Sequence, residues 1–330
     1  MRKQSGINPS RRQMLLGVGA TGLHIATPLS AYAQSTFPNK PIRLIVPLPP
    51  GNSADTLARV IAEKMTREVG QTVIVDNRPG ATSIIGTQIA ATAPADGYTL
   101  LYAIAGCMSI NPHVFRNLPY KVSDFVPISH LLDVPFVLSV RSNSPYRSVE
   151  ELFAAAKANP DKITYASYGE GSPTHLGMLQ MLQTAGVTMT HVPYKDGGLN
   201  DVLAEQVDCS LEATSLSIPQ VKAGKLRPLV VSARERIEQL PDVRTIQEAK
   251  LGEPLYSWNG IFARTGTSTE IVTRLVSVVQ GIASSEEFQK RVRDIAQVPR
   301  VGTPAEFAAF LKVDSANWGR VVARANVHLD

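Results

Sequence analysis

The chain has 330 residues, 44% of them hydrophobic, which supplies enough apolar side chains for one large or two medium globular domains and excludes disorder. Its formal charge of +5 is uneven: Arg2, Lys3, Arg11 and Arg12 lie in the first 33 residues without an acid, so the rest carries only +1. That balance argues against a nucleic-acid partner, and beyond the N-terminus no uncharged apolar run of about 18 residues supports a multipass membrane protein.

The N-terminus reads as an export signal. Arg11 and Arg12 precede the apolar stretch Met14 to Ala26, and Ala31 and Ala33 stand at the A-x-A positions, which predicts cleavage after Ala33. The pattern resembles a twin-arginine signal, with Met14 and Leu16 where that motif usually has Phe and Lys; general secretion is the alternative. A first folded helix is disfavoured by Gly17, Gly19 and Gly22, each costing about 1 kcal/mol relative to Ala.

Strand and helix periods alternate along the remainder. Pro41 to Val46 is a buried-strand signal, followed by apolar positions at 57, 60, 61 and 65 that mark one helix face ending at Gly70. Val73 to Val75, Ile84 to Ala93 and Tyr98 to Ile104 continue as strand, helix and strand, the rhythm of a parallel sheet with helices on both faces. An extended segment, Val134 to Val140, then leads into a second unit. Ser148 and Glu151 cap a helix, Ile163 to Ser167 is a strand, and Ser172-Pro173 opens a helix to Ala185. Strands at 189–192, 207–211 and 229–233 alternate with helical segments 199–204 and 218–223. Trp258 to Ala263 returns as a strand into helices 270–283, 286–296 and 303–325. The expected architecture is two α/β units joined by two extended crossings.

Catalytic signatures are missing: there is no G-x-S-x-G elbow, no H-E-x-x-H and no Walker loop, so an enzyme is not expected. The histidines at 113, 130, 175, 191 and 328 lack metal-ligand spacing, and no metal or cofactor is expected. Cys107 and Cys209 invite a disulfide in an oxidising compartment, but each lies in or beside an apolar segment, and two separately buried thiols are expected. Two strand-to-helix turns do carry chemistry. In the first, Gly51 allows positive φ and Asn52 or Ser53 caps a helix whose first amides are free to face an anion. In the second, Tyr168 to Pro173, Ser172 caps and Pro173 takes the first helical position. Asp55 suits either a capping role at the helix third position or a ligand ammonium. Lys195 reads as a solvated surface side chain or an anion counter-charge, Tyr194 as an aromatic wall, and Trp258 as core or hinge packing.

Several ordered segments carry a family resemblance. They are Phe37 to Gly51, Val75 to Gly80, Asp96 to Leu100, Ile110 to Pro112, His191 to Lys195, Ala223 to Arg227, Leu240 to Val243 and Thr303 to Phe307. Together the sequence resembles the Bug family, the periplasmic solute receptors of tripartite tricarboxylate transporters. The resemblance implies an α/β, type 2 periplasmic-binding-protein (Venus flytrap) fold, with one lobe from about 36 to 134 plus 257 to 330 and the other from 135 to 256. It implies a monomeric receptor, without catalytic residues, that takes a small carboxylate to membrane permease subunits. That carboxylate is a di- or tricarboxylate or an aromatic or amino acid carboxylate. A sensor presenting its ligand to a membrane histidine kinase is the alternative with the same fold. Carried over by position, the ligand residues are Leu48, Pro50, Gly51, Asn52, Ser53 and Asp55 in the first turn and Ser167, Tyr168, Gly169, Ser172 and His175 in the second. Tyr194 and Thr214 complete the set. The chain departs from the family pattern at Asn52, Tyr168, Glu170 and the stretch 211–215.

Overall fold

A computed structural model describes residues 37–330. The export signal lies outside the described residues.

The first sheet grows from short buried strands. β1 (Ile42–Val46) runs into α1 (Ser53–Val69), and β2 (Val73–Asn77) returns parallel to β1. Leu57, Ile61 and Met65 on the inner face of α1 are fully buried, each stabilising the fold by about 1.5–3 kcal/mol. α2 (Ile84–Thr92) and β3 (Thr99–Ile104) complete the parallel part, with β3 on the other side of β1. A π-turn, Gly106–Ile110, then leads into the short α3 (Asn111–Val114).

The crossing differs from expectation. The segment expected as one extended run at 134–140 is the junction of two strands in different sheets, β4 (Phe125–Val134) and β5 (Phe136–Arg141). Pro135 separates them, because it has no N–H to continue a ladder; its carbonyl instead accepts the Thr214 N–H at 3.0 Å. β4 escaped the period-2 reading because it is buried on both faces and places Ser129, His130 and Asp133 inside.

The second sheet follows. α4 (Val149–Ala158), β6 (Thr164–Ser167), α5 (Pro173–Ala185), β7 (Thr190–Pro193), α6 (Leu199–Leu203), β8 (Cys209–Ala213), α7 (Thr214–Lys222) and β9 (Leu226–Val231) build it. Its order is β7-β6-β8-β5-β9, with β6, β7 and β8 parallel and β5 antiparallel to both neighbours. The chain then re-enters the first sheet through β10 (Ser257–Arg264), α8 (Thr269–Ser284), α9 (Glu286–Asp294), β11 (Val298–Pro299) and α10 (Pro304–Ala325). That sheet has the order β11-β4-β10-β3-β1-β2 and is mixed rather than parallel, because β10 arrives antiparallel to both β3 and β4.

Each sheet has its own core, so the molecule has two lobes. They meet where Leu176 of α5 packs with Ile110, Val114, Trp318 and Val322, and where Gln239 donates to the Arg293 carbonyl at 3.1 Å. Trp258 is core: its ring is fully buried beside Phe262 and Phe307, and its Nε1–H donates to Asp314 at 2.7 Å. Cys107 and Cys209 are free and buried in separate cores. Burial pushes the Cys107 thiol up to about 11, which keeps it an unreactive small hydrophobe.

Candidate ligand-binding site

The first turn sits at the carboxyl end of β1. Gly51 has φ +90°, a conformation that L side chains rarely adopt, and no neighbour crowds its Cα, so backbone geometry alone demands glycine there. Asn52 caps α1: its Oδ1 accepts the Asp55 N–H at 2.9 Å, and its Nδ2 donates to the Pro49 carbonyl at 2.8 Å. Asp55, 3% exposed, accepts from Gly51 N–H and Asn77 Nδ2, each at 2.9 Å, and from Arg59 Nε at 3.1 Å. Burial alone would raise this carboxyl, but the hydrogen bonds from Arg59, Gly51 and Asn77 outweigh it and hold the pKa below the usual carboxylate value. Its oxygens are thus committed to the turn, which is the capping alternative of the two open for it. Asn77 also donates to the Leu48 carbonyl at 3.2 Å, tying strand exit to strand β2.

Three backbone N–H groups remain without a partner among the described residues: those of Asn52, Ser53 and Ala54. They point from the start of a 17-residue helix, where the helix dipole adds to their attraction for an anion. Ser53 is half-buried, and its Oγ lies 3.4 Å from Gln297 Nε2. Leu48 is half-buried and Pro50 exposed beside it.

The second turn, at the carboxyl end of β6, is built differently. Tyr168 N–H donates to Thr174 Oγ1 (3.2 Å), Gly169 N–H to Ser167 Oγ (3.1 Å), Gly171 N–H to His175 Nδ1 (3.2 Å) and His175 N–H to Ser172 Oγ (3.2 Å). Ser172 N–H closes back on the Gly169 carbonyl. Only the Glu170 and Thr174 amides are left over among the described residues, so this turn has little backbone to offer an anion. His175 instead braces it. Its ring stacks on His191 at 4.1 Å, His191 stacks on Tyr165 at 5.0 Å, and His191 Nε2 lies 2.6 Å from Ser167 Oγ. Burial, with His191 beside it, drives the His175 pKa down to about 4, so near neutral pH its Nδ1 is a lone-pair acceptor for Gly171. Burial lowers His191 as well, against the opposing pull of Glu170.

Tyr194 N–H donates to the Ser167 carbonyl at 2.9 Å, which fixes the loop after β7 against the second turn. Thr214 is fully buried at the start of α7, and its hydroxyl has no partner among the described residues.

Absent from the sequence-read set is Glu212, the penultimate residue of β8. It is 0% exposed, and neither carboxyl oxygen has a hydrogen-bond partner of normal geometry. Burial pushes its pKa up to about 8, against the lowering effect of the Tyr168 hydroxyl beside it and with a further push from Asp196. Burial, then Glu212, raises the Tyr168 phenol in turn. Its one sequence signal was an acid closing an otherwise apolar strand. A separate cavity of about 460 Å³ between the lobes is lined by Asp133, Arg234, Tyr256, Gln297 and Arg300 and by no residue of either turn. Two of its charges already pair, Arg300 Nε on Asp133 at 2.6 Å.

Residues 57–327 match the family model described as tripartite tricarboxylate transporter family receptor. The chain belongs to this family. A relative from Pseudomonas sp. (strain P51), the UPF0065 protein in the tcbD-tcbE intergenic region, is 33% identical over 96% of this chain and 94% of its own length. Among solved structures, R. palustris Rpa4515 with adipate is similar at 32% identity and a TM-score of 0.81, covering 88% of this chain and 99% of that one. Periplasmic binding protein BugD is similar at 32% identity and a TM-score of 0.78, with the same coverage. The tripartite tricarboxylate receptor is therefore a solute-binding protein of the Bug type with the two-lobed periplasmic-binding-protein fold, and not an enzyme.

Proposed function

We propose that this receptor captures a small carboxylate in the periplasm, as a monomer exported by the twin-arginine route, and delivers it to the permease subunits of a tripartite tricarboxylate transporter. The observation that carries the reading is the first turn. Its three unpartnered amides at the head of α1 form a site for an anion that needs no cationic side chain. The adipate held by one similar structure supports a carboxylate as that anion. We assign the half-site to Leu48, Pro50, Gly51, Asn52 and Ser53, with Asp55 holding its shape. Ser167, Tyr168, Gly169, Ser172, His175, Tyr194 and Thr214 form the opposing wall, and the lobes close over the ligand by bending at the two crossings.

Transport is tested in cells. A strain lacking the gene is expected to lose uptake of the radiolabelled carboxylate that the purified protein binds, and a wild-type copy to restore it. Undiminished uptake in that strain would contradict delivery to a permease.

A further inference from the structure

Glu212 is a buried acid with the Tyr168 hydroxyl beside it but no hydrogen-bond partner of normal geometry among the described residues. On β8, Cys209 and Leu211 turn into the second-lobe core against α4 and α5, so Ser210 and Glu212 point to the opposite face, toward α7. Register places Ser139 opposite Ser210 and Val137 opposite Glu212 on that face. Ser139, Ser210, Thr214 and Ser217 are buried there, and their hydroxyls, like both Glu212 oxygens, lack a partner among the described residues. Buried polar groups are nearly always paired, so this concentration takes water or a polar ligand as its partner.

The location points to the ligand cleft. Glu212 lies at the carboxyl end of β8, which runs parallel to β6, the strand that delivers the second turn. Ala213 packs against the cores of both lobes, and Thr214 is bonded to the crossing at Pro135. Gly197, at φ +91°, brings the loop after β7 so close that a Cβ there would collide with Glu212 Oε1 and with the Tyr168 ring. Glu212 therefore sits directly beneath Tyr168, whose ring is 38% exposed at the turn.

We propose that this end of β8 is a subsite for a protonated amine: Glu212, beside Tyr168, receives an ammonium carried by the same ligand whose carboxylate the first turn holds. The inference rests on the carboxylate-receptor reading above and narrows its ligand to an amino carboxylate. Charge decides between an amine and a second carboxylate. The titratable groups beside Glu212 are Tyr168 and Asp196; Asp201 lies on α6, which packs against β8, and Lys195 on the adjoining loop is exposed. A second carboxylate would find only the Glu212 proton and the Tyr168 hydroxyl as donors, beside the like charge of Asp196, whereas an ammonium displaces that proton and pairs with the ionised carboxylate. Without ligand, the buried carboxyl keeps its proton, and on binding it loses that proton to solvent as the ammonium takes its place. Tyr168 moves aside to admit the amine.

Calorimetry on the purified protein tests this with monocarboxylates, α,ω-dicarboxylates and ω-amino carboxylates of three to six carbons, at pH 7 in phosphate and in Tris. The best amine-bearing compound is expected to bind at least tenfold more tightly than its amine-free counterparts, and to release about one proton per site, read from the difference between the buffers. In Glu212→Gln, which keeps the shape but cannot ionise, the preference is expected to fall at least tenfold and the proton release to vanish. Dicarboxylates binding more tightly than amino carboxylates, a preference unchanged in Glu212→Gln, or binding without proton release in the wild type would each overturn the subsite. Failure of every carboxylate, with or without an amine, would overturn the receptor reading itself and the subsite with it.

Discussion

The Gly51 N–H donates to the Asp55 carboxylate at 2.9 Å, so the first turn is locked onto its own helix four residues later. That bond gives the acid at the head of α1 a structural role within the turn. The Asp55 carboxylate is taken up by Gly51, Arg59 and Asn77, and the three amides after Gly51 are left without a partner among the described residues.

Replacing Asp55 with Asn removes the charge that answers Gly51, Arg59 and Asn77 together. We expect a loss of about 2 kcal/mol in urea unfolding at pH 7. The folded-state pKa lies below the unfolded value, so this stability is present above about pH 4 and is lost as pH falls through the lower folded value. The gap between variant and wild type should therefore narrow below about pH 4. A gap that widens with acid would show that the carboxylate is not held ionised by these donors.

At Gly51 the strain is conformational. Gly51→Val forces a β-branched residue to φ +90° and should cost carboxylate affinity at least about tenfold, or 1.4 kcal/mol. Lys195→Ala, at an exposed position, should change it less than about fivefold. Calorimetry on both variants, each checked by circular dichroism, decides whether backbone or salt bridge holds the anion.

His175 makes the second turn acid-sensitive. Its folded pKa of about 4 lies below the unfolded value near 6.5, so the unfolded chain gains a proton first and stability falls as pH drops between those two values. The full effect is about 3 kcal/mol by linkage. In His175→Asn an amide oxygen can still accept the Gly171 N–H but does not titrate, and the loss of stability between pH 6.5 and 4.5 should be smaller than in the wild type. An equal slope in urea unfolding would remove His175 as its source.

Export tests the N-terminal reading. Lys in place of both Arg11 and Arg12 should strand precursor in the cytoplasm, as seen by fractionation and immunoblot. Unchanged periplasmic yield would assign the general secretory route instead.

Legibility in the sequence followed local physics. α1 was readable because Leu57, Ile61 and Met65 repeat at helical spacing and Gly70 ends the helix at φ +69°. β4 was not, since its buried His130 and Asp133, besides facing each other, find Phe307 and Arg300 far along the chain. Both turns were visible as Gly, Ser and Pro at strand ends, yet their difference was not: which amides stay free depends on Thr174, His175 and Asp55 side chains folding back. Glu212 was hidden for a related reason. Its isolation is a property of the α7 face of the second sheet, where residues from β5, β8 and α7 meet, and no local spacing encodes that.

In the proposed receptor, first-turn amides hold an anionic carboxylate. Titrating the protein calorimetrically with small carboxylates and with their uncharged primary-amide analogues tests it most directly. We expect one site per chain, and an amide analogue weaker than its parent by about a hundredfold or more, about 2.7 kcal/mol, because the helix-end amides lose their charged partner. An amide that binds as tightly as its carboxylate, or no binding by any carboxylate at millimolar concentration, would contradict it.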